Sequence, residues 1–155
     1  MQIVPLTLRA ANDFVDMHHR HSARTANDGG KFAIGLSLDG VLVGVAIVGR
    51  PVARMLYRPG TAEVLRLCVS PNAPKGACSR LYSRCKRIWQ QMGGNYLVTY
   101  TLEHERGGSL RGAGFAIEAV VAARSWNTPS RPRQPRDIEH QRKVRWGCAL
   151  SEIPT

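Results

Sequence analysis

Long hydrophobic runs are missing from this sequence of 155 residues. The longest apolar run is Val41–Val48, whereas a helix needs about 20 apolar residues to span a bilayer. Residues 1–8 also lack a basic segment followed by an apolar one. We therefore expect neither a membrane anchor nor a secretory leader. The length predicts one domain with a single core.

Paired cysteines and the common nucleotide-binding motifs are missing as well. The four cysteines, at positions 68, 78, 85 and 148, form no C-x-x-C pair. This spacing favours reduced thiols and a cytoplasmic protein. The sequence contains neither GxxxxGK[ST] nor GxGxxG, which excludes a P-loop and a dinucleotide-binding fingerprint.

Acidic residues are few. The chain has 11 Asp and Glu against 22 Lys and Arg, so its formal net charge is +11, and the sequence pI is about 10.4. Eighteen of the basic residues are arginine, whose planar guanidinium suits phosphate oxygens and base edges. This composition predicts a nucleic-acid partner, most simply DNA. The alternatives are a basic protein without such a partner and one that binds another anion, such as an acidic protein.

The chain is organised around residues 61–101, which predict a strand, a loop, a helix and a second strand. The loop is rich in small residues, and a helical stripe of apolar residues follows it. Gly93 and Gly94 end the helix, because glycine adopts the left-handed conformation of a C-cap. The predicted elements are the strand Ala62–Val69, the loop Ser70–Cys78, the helix Ala77–Met92 with the stripe Leu81, Cys85, Ile88, Trp89 and Met92, and the strand Asn95–Leu102.

The start of this helix is a candidate anion site. The first amides of a helix have no partner within it, and the helix dipole places partial positive charge there. Small loop residues let a phosphate approach those amides, and Lys75 adds a full charge. The alternative is an ordinary turn that Ser79 or Ser70 caps. The candidate cradle for a pyrophosphate comprises Lys75, Gly76, Ala77, Cys78 and Ser79.

Shorter patterns predict the remaining strands and helices. Thr7 is a candidate N-cap, Asp39-Gly40 is a hairpin signal, and alternating or continuous apolar runs predict strands. The predicted strands are 3–6, 31–38, 41–48, 116–123 and 144–150, and the predicted helices are 8–20 and 109–113. Together these elements predict an α/β fold in which helices flank a mixed, mostly antiparallel sheet.

The C-terminal part differs from the rest in composition. Residues 127–145 combine three prolines with five arginines and one lysine, so we expect an arm that lies over the domain surface or on a phosphate backbone. We divide the chain into a domain of residues 1–126 and a basic extension of residues 127–155, whose end can join the same domain as a strand. Within this arm, Arg131 and Arg133 are candidate nucleic-acid contacts.

Two further groups of charged or titratable residues are candidates for function. His18 and His21 share a face if the first helix continues, and they predict a base or metal pair, a basic helix end, or a core histidine at position 18. No third ligand is fixed by the spacing, so we predict no metal. Arg50 and Arg54 flank Pro51, and they belong either to a contact with a phosphate or acidic group or to a solvated loop.

Two segments resemble the GNAT family of N-acyltransferases. The loop Ala73–Cys78 is similar to the family's Gln/Arg-x-x-Gly-x-Gly/Ala loop, with Gly76 at the central glycine, although its first and last residues depart from that pattern. Ser109–Phe115 is similar to the family's short helix that ends in Gly-Phe. The resemblance covers residues 1–126. It implies a sheet that splays along the strand Glu63–Val69, and transfer of an acyl group from acetyl-CoA or another acyl-CoA to an amine.

The resemblance also implies roles for individual residues. The loop amides of residues 75–79 would hold the pyrophosphate of coenzyme A. Glu63 would act as general base, although a salt bridge from Glu63 to an arginine is the alternative. By alternation, Glu63 shares a strand face with Leu65, and Arg66 lies on the opposite one. The residues whose backbone would pair with the pantetheine arm are Leu67, Cys68 and Val69.

One position departs from the family. A tyrosine often lies four residues before the glycine of Gly-Phe and protonates the leaving thiolate, whereas this chain has Leu110 there. The departure moves the general acid to Tyr100, Tyr82 or Ser109.

A narrower resemblance is to small phage and prophage GNAT-like proteins that are grouped with Mom-type DNA-modification proteins. It implies a phage- or prophage-encoded protein that acts on DNA in the host cytoplasm. Two alternatives to acyl transfer follow: DNA base modification without acetyl-CoA, carried by the histidine cluster and Tyr100, and a non-catalytic basic nucleic-acid-binding module. The segments that carry this resemblance are His-His-Arg-His, Val-Gly-Arg-Pro-Val-Ala-Arg, Glu-Val-x-Arg-Leu-Cys, Ala-Cys-Ser-x-Leu-Tyr, Thr-Tyr-Thr-Leu and Ser-Leu-Arg-x-Ala-Gly.

Overall fold

The structure is a computed structural model that describes residues 1–18, 30–122 and 142–151. Seven strands and three helices lie in these ranges, together with one short 3-10 turn at Arg54–Leu56. No helix among the described residues is long and apolar enough to cross a membrane. In chain order the elements are β1 (Gln2–Leu6), α1 (Leu8–His18), β2 (Gly30–Leu38), β3 (Val41–Gly49), β4 (Thr61–Val69), α2 (Ala77–Gln91), β5 (Tyr96–Leu102), α3 (Gly108–Gly112), β6 (Ala116–Val121) and β7 (Lys143–Ala149).

The local signals act as predicted. Thr7 caps α1, since its hydroxyl oxygen accepts a hydrogen bond of 3.1 Å from the backbone N–H of Ala10. Asp39 and Gly40 both have positive φ, which a tight hairpin between β2 and β3 requires. Gly93, with φ of 92°, ends α2. The last two residues of the predicted helix 8–20 lie outside the described residues.

The strands form one sheet in the order β1-β2-β3-β4-β5-β7-β6. All neighbouring pairs are antiparallel except β4 and β5, which are parallel. The parallel ladder joins Thr61, Ala62 and Glu63 to residues 96–98 and then stops. Beyond Glu63 the ladder has no further rung, which agrees with the predicted splay, and the Thr99 hydroxyl donates to the carbonyl of Val64 at 3.1 Å.

The strand predicted near the C-terminus lies inside the sheet. β7 pairs with β5 on one side and with β6 on the other. Its Trp146 is buried, and the indole N–H donates to the hydroxyl of Thr101 at 2.9 Å. A Cβ on Gly107, whose φ is 69°, would lie 2.3 Å from the Trp146 ring, so only glycine fits there. Residues 143–149 are therefore an integral part of the seven-stranded sheet.

The sheet has one core on each face. The larger core lies on the face that α2 covers (the α2 face), and the smaller lies under α1 (the α1 face). The predicted stripe of α2 is corrected at two positions. Met92 is 54% exposed because the helix ends at Gln91, whereas Tyr82 is buried and packs against Phe115.

A bulge in β4 changes the predicted alternation. Ile47 of β3 pairs with Arg66, and Val48 pairs with Val64, so Leu65 is an extra residue with no partner in the ladder. Val64 and Leu67 consequently lie on the same α2 face. The predicted placement of Glu63 and Arg66 on opposite faces is wrong, since the bulge places both on the α1 face.

Candidate active site

Glu63 lies at the last rung of the parallel ladder, where β4 and β5 begin to separate. Its side chain is buried, with 6% of the residue exposed. Its Oε1 atom has no hydrogen-bond partner among the described residues. Burial raises the pKa of Glu63 from its usual 4.5 to about 7. A carboxylate of this kind can both accept and release a proton near neutral pH.

Three groups oppose that rise in the pKa of Glu63. The backbone N–H of Val52, in the loop before β4, donates a hydrogen bond to the carboxylate. The positive charges of Arg66 and Lys143 also favour the ionised form. Lys143 belongs to β7, so the C-terminal strand contributes directly to the electrostatics of this site. The charge of Arg66 acts on the carboxylate, and the alternative of a salt bridge from Glu63 to an arginine stays a prediction.

A network of polar side chains continues from Glu63 along the α1 face. Burial and the charge of Glu63 raise the pKa of Tyr100, while Arg145 lowers it by charge and by a hydrogen bond. The guanidinium Nε of Arg145 donates to Glu118 Oε2 at 2.8 Å. The hydroxyl of Tyr96 donates to Glu118 Oε1. The network thus links β4 to β5, β7 and β6.

The loop at the other end of β4 leads into α2. Gly76 has φ of 88°, and a Cβ built on it meets nothing within 4 Å. The N–H of Ala77 donates to the carbonyl of Pro74 at 3.1 Å, and that of Arg80 donates to the carbonyl of Gly76 at 3.0 Å. The N–H groups of Cys78 and Ser79 have no such partner within the described chain. Two free amides next to an open glycine, with Lys75 exposed beside them, form a cradle that fits an anion.

α3 docks against the first turn of α2. The hydroxyl of Ser79 donates to the carbonyl of Ser109 at 2.9 Å. Burial raises the pKa of the Cys78 thiol, and a hydrogen bond with the Ser109 side chain opposes that effect. Leu110, at the position of the family's tyrosine, is buried in the core. Ser109 is therefore the polar side chain that this helix places beside the cradle.

The structure separates the remaining candidates. Gly30 of β2 pairs with Gly49 of β3, which in turn pairs with Glu63 of β4. Leu8, at the start of α1, lies beside Gly30 and therefore on the same row across the sheet as Glu63. His18 is at the other end of the helix, about 15 Å along its axis at 1.5 Å per residue. Its ring lies 4.3 Å from the ring of Phe14. His21 lies outside the described residues, as do Arg131 and Arg133.

Arg50 and Arg54 are both exposed, in the loop between β3 and β4. The guanidinium carbon of Arg50 lies 5.3 Å from the ring centroid of Tyr57. This loop and Glu63 are adjacent, because the loop also supplies the Val52 amide.

Comparison with known proteins rests on structure. No protein-family model matches the sequence, and no curated protein matches it. The ribosomal-protein-S18-alanine N-acetyltransferase of Escherichia coli superposes with a TM-score of 0.68 at 13% identity, over 99% of this chain and 96% of that one. A Bacillus subtilis acetyltransferase in complex with CoA gives 0.65 at 16% identity, over 97% and 99%. A GNAT-family acetyltransferase from Streptococcus pneumoniae gives 0.66 at 11% identity, over 97% and 99%.

The chain has the GNAT acetyltransferase fold. Within this GNAT fold the predicted residues gather at the two ends of β4. Glu63 and Tyr100 lie at its beginning, and the cradle of residues 75–79 lies beyond its end together with Ser109. Between them, the edge of β4 at Leu67, Cys68 and Val69 has no ladder partner among the residues of β5. The Cys68 side chain itself packs under α1, where burial raises its thiol pKa to about 11.

Sequence reasoning missed several residues of this site. Val52 contributes through its backbone, which side-chain patterns do not report. Lys143 and Arg145 reach Glu63 and Tyr100 from β7, the strand whose place in the sheet the sequence left open. Their alternation with Val144 and Trp146 was a usable signal, because a strand with one charged and one apolar face borders a core on one side only.

Proposed function

We propose that this protein is an acyl-CoA-dependent N-acyltransferase. The observation that carries the proposal is a buried carboxyl group with a pKa of about 7 at the point where β4 and β5 diverge. Such a group is suited to take a proton from an amine near neutral pH. The GNAT fold supports the proposal, as do the structural neighbours whose crystals hold CoA or acetyl coenzyme A.

The residues at the end of β4 fit the cofactor. The free amides of Cys78 and Ser79 and the ammonium of Lys75 would hold its pyrophosphate, and the open space over Gly76 would admit it. The unpaired edge of β4 at residues 67–69 would pair with the pantetheine arm. When bound, the cofactor would supply an acyl group activated as a thioester. The bulge leaves Leu65 without a ladder partner, and a backbone amide of β4 near it would stabilise negative charge on the thioester oxygen.

Glu63 is the proposed general base. Above about pH 7 its carboxylate is ionised and can accept the proton of the acceptor amine. Val52 positions this carboxylate through its backbone N–H.

Two of the three candidates for the general acid remain, Tyr100 and Ser109. Burial raises the pKa of Tyr82 and its ring packs in the core, so Tyr82 is a structural residue. Ser109 stands beside the cradle, and Tyr100 stands beside Glu63. We propose Ser109 as the group that protonates the leaving thiolate and Tyr100 as a partner of the base.

The proposed acceptor is an amine on a nucleic acid. The net charge of +11, dominated by arginine, favours a polyanionic partner such as DNA. Arg50 and Arg54, exposed beside Glu63, would contact its phosphates, as would Arg131 and Arg133. A target base within a duplex would have to be flipped out of the stack. We place this activity in the cytoplasm of a host cell, on a protein encoded by a phage or prophage.

Thermal unfolding with and without acetyl-CoA tests the cofactor. At a concentration 100 times its Kd, a ligand stabilises the fold by about 2.7 kcal/mol, which raises Tm by about 5–10 °C for a chain of this size. We expect this rise in the parent and its loss in Gly76→Glu, because the new carboxylate would occupy the place of the pyrophosphate.

Gly93→Glu is the matched control. Gly93 has φ of 92° and equally open surroundings, so this change brings the same backbone strain and the same charge at the opposite end of α2 from the cradle. Its ligand-dependent rise should equal that of the parent. Absence of a rise in the parent at millimolar acetyl-CoA would overturn the acyl-CoA proposal.

A second candidate is DNA base modification without acetyl-CoA. The presence of buried Leu110 at the position of the family's tyrosine favours it, since the usual proton donor of acetyl transfer is replaced. His18, His21 and Tyr100 would then carry the chemistry. Loss of DNA modification in His18→Ala and His21→Ala variants that still bind DNA would favour this candidate. If the parent binds DNA but does not modify it, the result would favour the alternative of a non-catalytic nucleic-acid-binding module.

A further inference from the structure

The loop between β3 and β4 exposes an unusual combination of side chains. Residues 50–58, which we call the arginine loop, contain three arginines and no acidic residue. Arg50, Arg54 and Arg58 are all exposed. Three large apolar side chains of the same loop also face solvent: Val52 is 73% exposed, Met55 89% and Tyr57 58%.

These exposed apolar groups are concentrated in this loop. Elsewhere in the described chain, large exposed apolar side chains occur singly, such as Met17 on α1 and Met92 after α2, except for the pair Ile117 and Val120 on β6. Within the arginine loop three of them lie within six positions, between guanidinium groups. Tyr57 is held in place by Arg50, whose guanidinium lies over its ring.

This combination is the chemistry that recognises single-stranded nucleic acid. Guanidinium groups pair with backbone phosphates, whereas an exposed aromatic ring stacks with bases that are free of a duplex. In a duplex the base faces are covered, so the exposed Tyr57 and Met55 would have nothing to contact. An acidic protein would pair with the arginines but would leave the ring of Tyr57 without a stacking partner.

We propose that the arginine loop binds single-stranded nucleic acid and presents one of its bases to Glu63. The loop begins directly after Gly49, which pairs with Glu63 in the sheet. This inference rests on the proposed function, because it names the class of acceptor in the proposed transfer reaction. Binding of the single strand itself requires no acyl-CoA.

Fluorescence anisotropy with a labelled 12-nucleotide single strand and the matched duplex tests this proposal on the full chain without acyl-CoA. The parent should bind the single strand at least tenfold more tightly than the duplex. Tyr57→Ala should weaken single-strand binding by about 5- to 100-fold, and Tyr57→Phe, which keeps the ring, should restore it.

Replacement of the arginines should instead change how strongly single-strand binding depends on salt concentration. Each phosphate contact with a single strand contributes about 0.7 to the slope of log K against log salt, so Arg50→Ala/Arg54→Ala should reduce that slope by about 1.4. Arg87→Ala/Arg106→Ala removes two exposed arginines from other elements and is the matched control for charge. It should leave the slope unchanged.

Three results would overturn the proposal. The first is an equal decrease of the salt slope in Arg50→Ala/Arg54→Ala and in Arg87→Ala/Arg106→Ala, which would assign binding to overall charge. The second is single-strand affinity that Tyr57→Ala does not change. The third is tighter binding of the duplex, or of polyglutamate, than of the single strand. The acetyl-CoA melting shift of Tyr57→Ala should equal that of the parent, so failure of the cofactor proposal and failure of this one give different results.

Discussion

Two glutamates on the same face of the sheet occupy opposite electrostatic environments. Glu118 is clamped between two donors, the guanidinium of Arg145 at 2.8 Å and the hydroxyl of Tyr96. Glu63 is buried, one of its oxygens has no hydrogen-bond partner among the described residues, and burial raises its pKa to about 7. The donors on both oxygens of Glu118 tie β6 to β5 and β7. Burial with incomplete pairing instead leaves a carboxyl group able to exchange its proton, which is what a general base requires.

The largest effect should come from replacing the base. Glu63→Gln keeps the shape of the side chain and removes its ability to accept a proton, so kcat should fall by about 10²- to 10⁴-fold. Release of free thiol from acetyl-CoA with an active acceptor measures this. Glu118→Gln is the same change on the same face and should alter kcat by less than about threefold. Comparable losses in the two variants would remove the distinction between these carboxylates.

A second difference should appear in the free energy of unfolding as a function of pH. The folded pKa of Glu63 is about 7 and its usual value is 4.5, so the folded state binds a proton more tightly than the unfolded state. Ionisation of Glu63 therefore contributes nothing to the folding free energy below about pH 4.5. It destabilises the fold progressively between pH 4.5 and 7, and fully above pH 7.

Glu63→Gln should accordingly be more stable than the parent at pH 8, by about 1–3 kcal/mol, and no more stable at pH 4. Urea unfolding at the two pH values measures the difference. A variant that is less stable than the parent at pH 8 would mean that the buried charge is well compensated, contrary to the environment described for Glu63.

The smallest effect is expected at Glu118. The pair with Arg145 is partly exposed, with side-chain exposures of 27% and 21%, so Glu118→Gln should cost about 0.5–1 kcal/mol. That corresponds to a decrease in Tm of about 1–4 °C. The decrease should shrink in 1 M salt, which screens charges beyond about 3 Å. A loss above about 3 kcal/mol would assign Glu118 a role in the core of the sheet.

Much of the fold could be predicted because its signals are local. Asp39-Gly40, the Thr7 cap and the Gly93 stop each depend on a few neighbouring residues, and each acts in the structure as the sequence indicates. The place of β7 could not be predicted in the same way. Its pairing joins residues 143–149 to a strand that lies more than 40 positions earlier, and nothing in its own pattern specifies a neighbour.

The candidate site could be predicted only in part, for a related reason. Glu63 and Gly76 were identified by position within one strand-loop-helix unit. The prediction that Glu63 and Arg66 lie on opposite faces was wrong, because the bulge at Leu65 adds one residue to an otherwise regular alternation. The electrostatic partners of Glu63 come from Val52 and Lys143, which only the three-dimensional fold brings together.

The position of β7 has a consequence for the order in which the protein is made. Synthesis proceeds from the N-terminus, so β5 and β6 leave the ribosome before the strand that joins them. Until residues 143–149 emerge, the described part of β6 has no ladder partner, and β5 is attached only by its three rungs to β4. Lys143 and Arg145 arrive with that last strand, after Glu63 and Tyr100 are already in place. A nascent chain thus carries the carboxylate without its final environment until β7 has emerged.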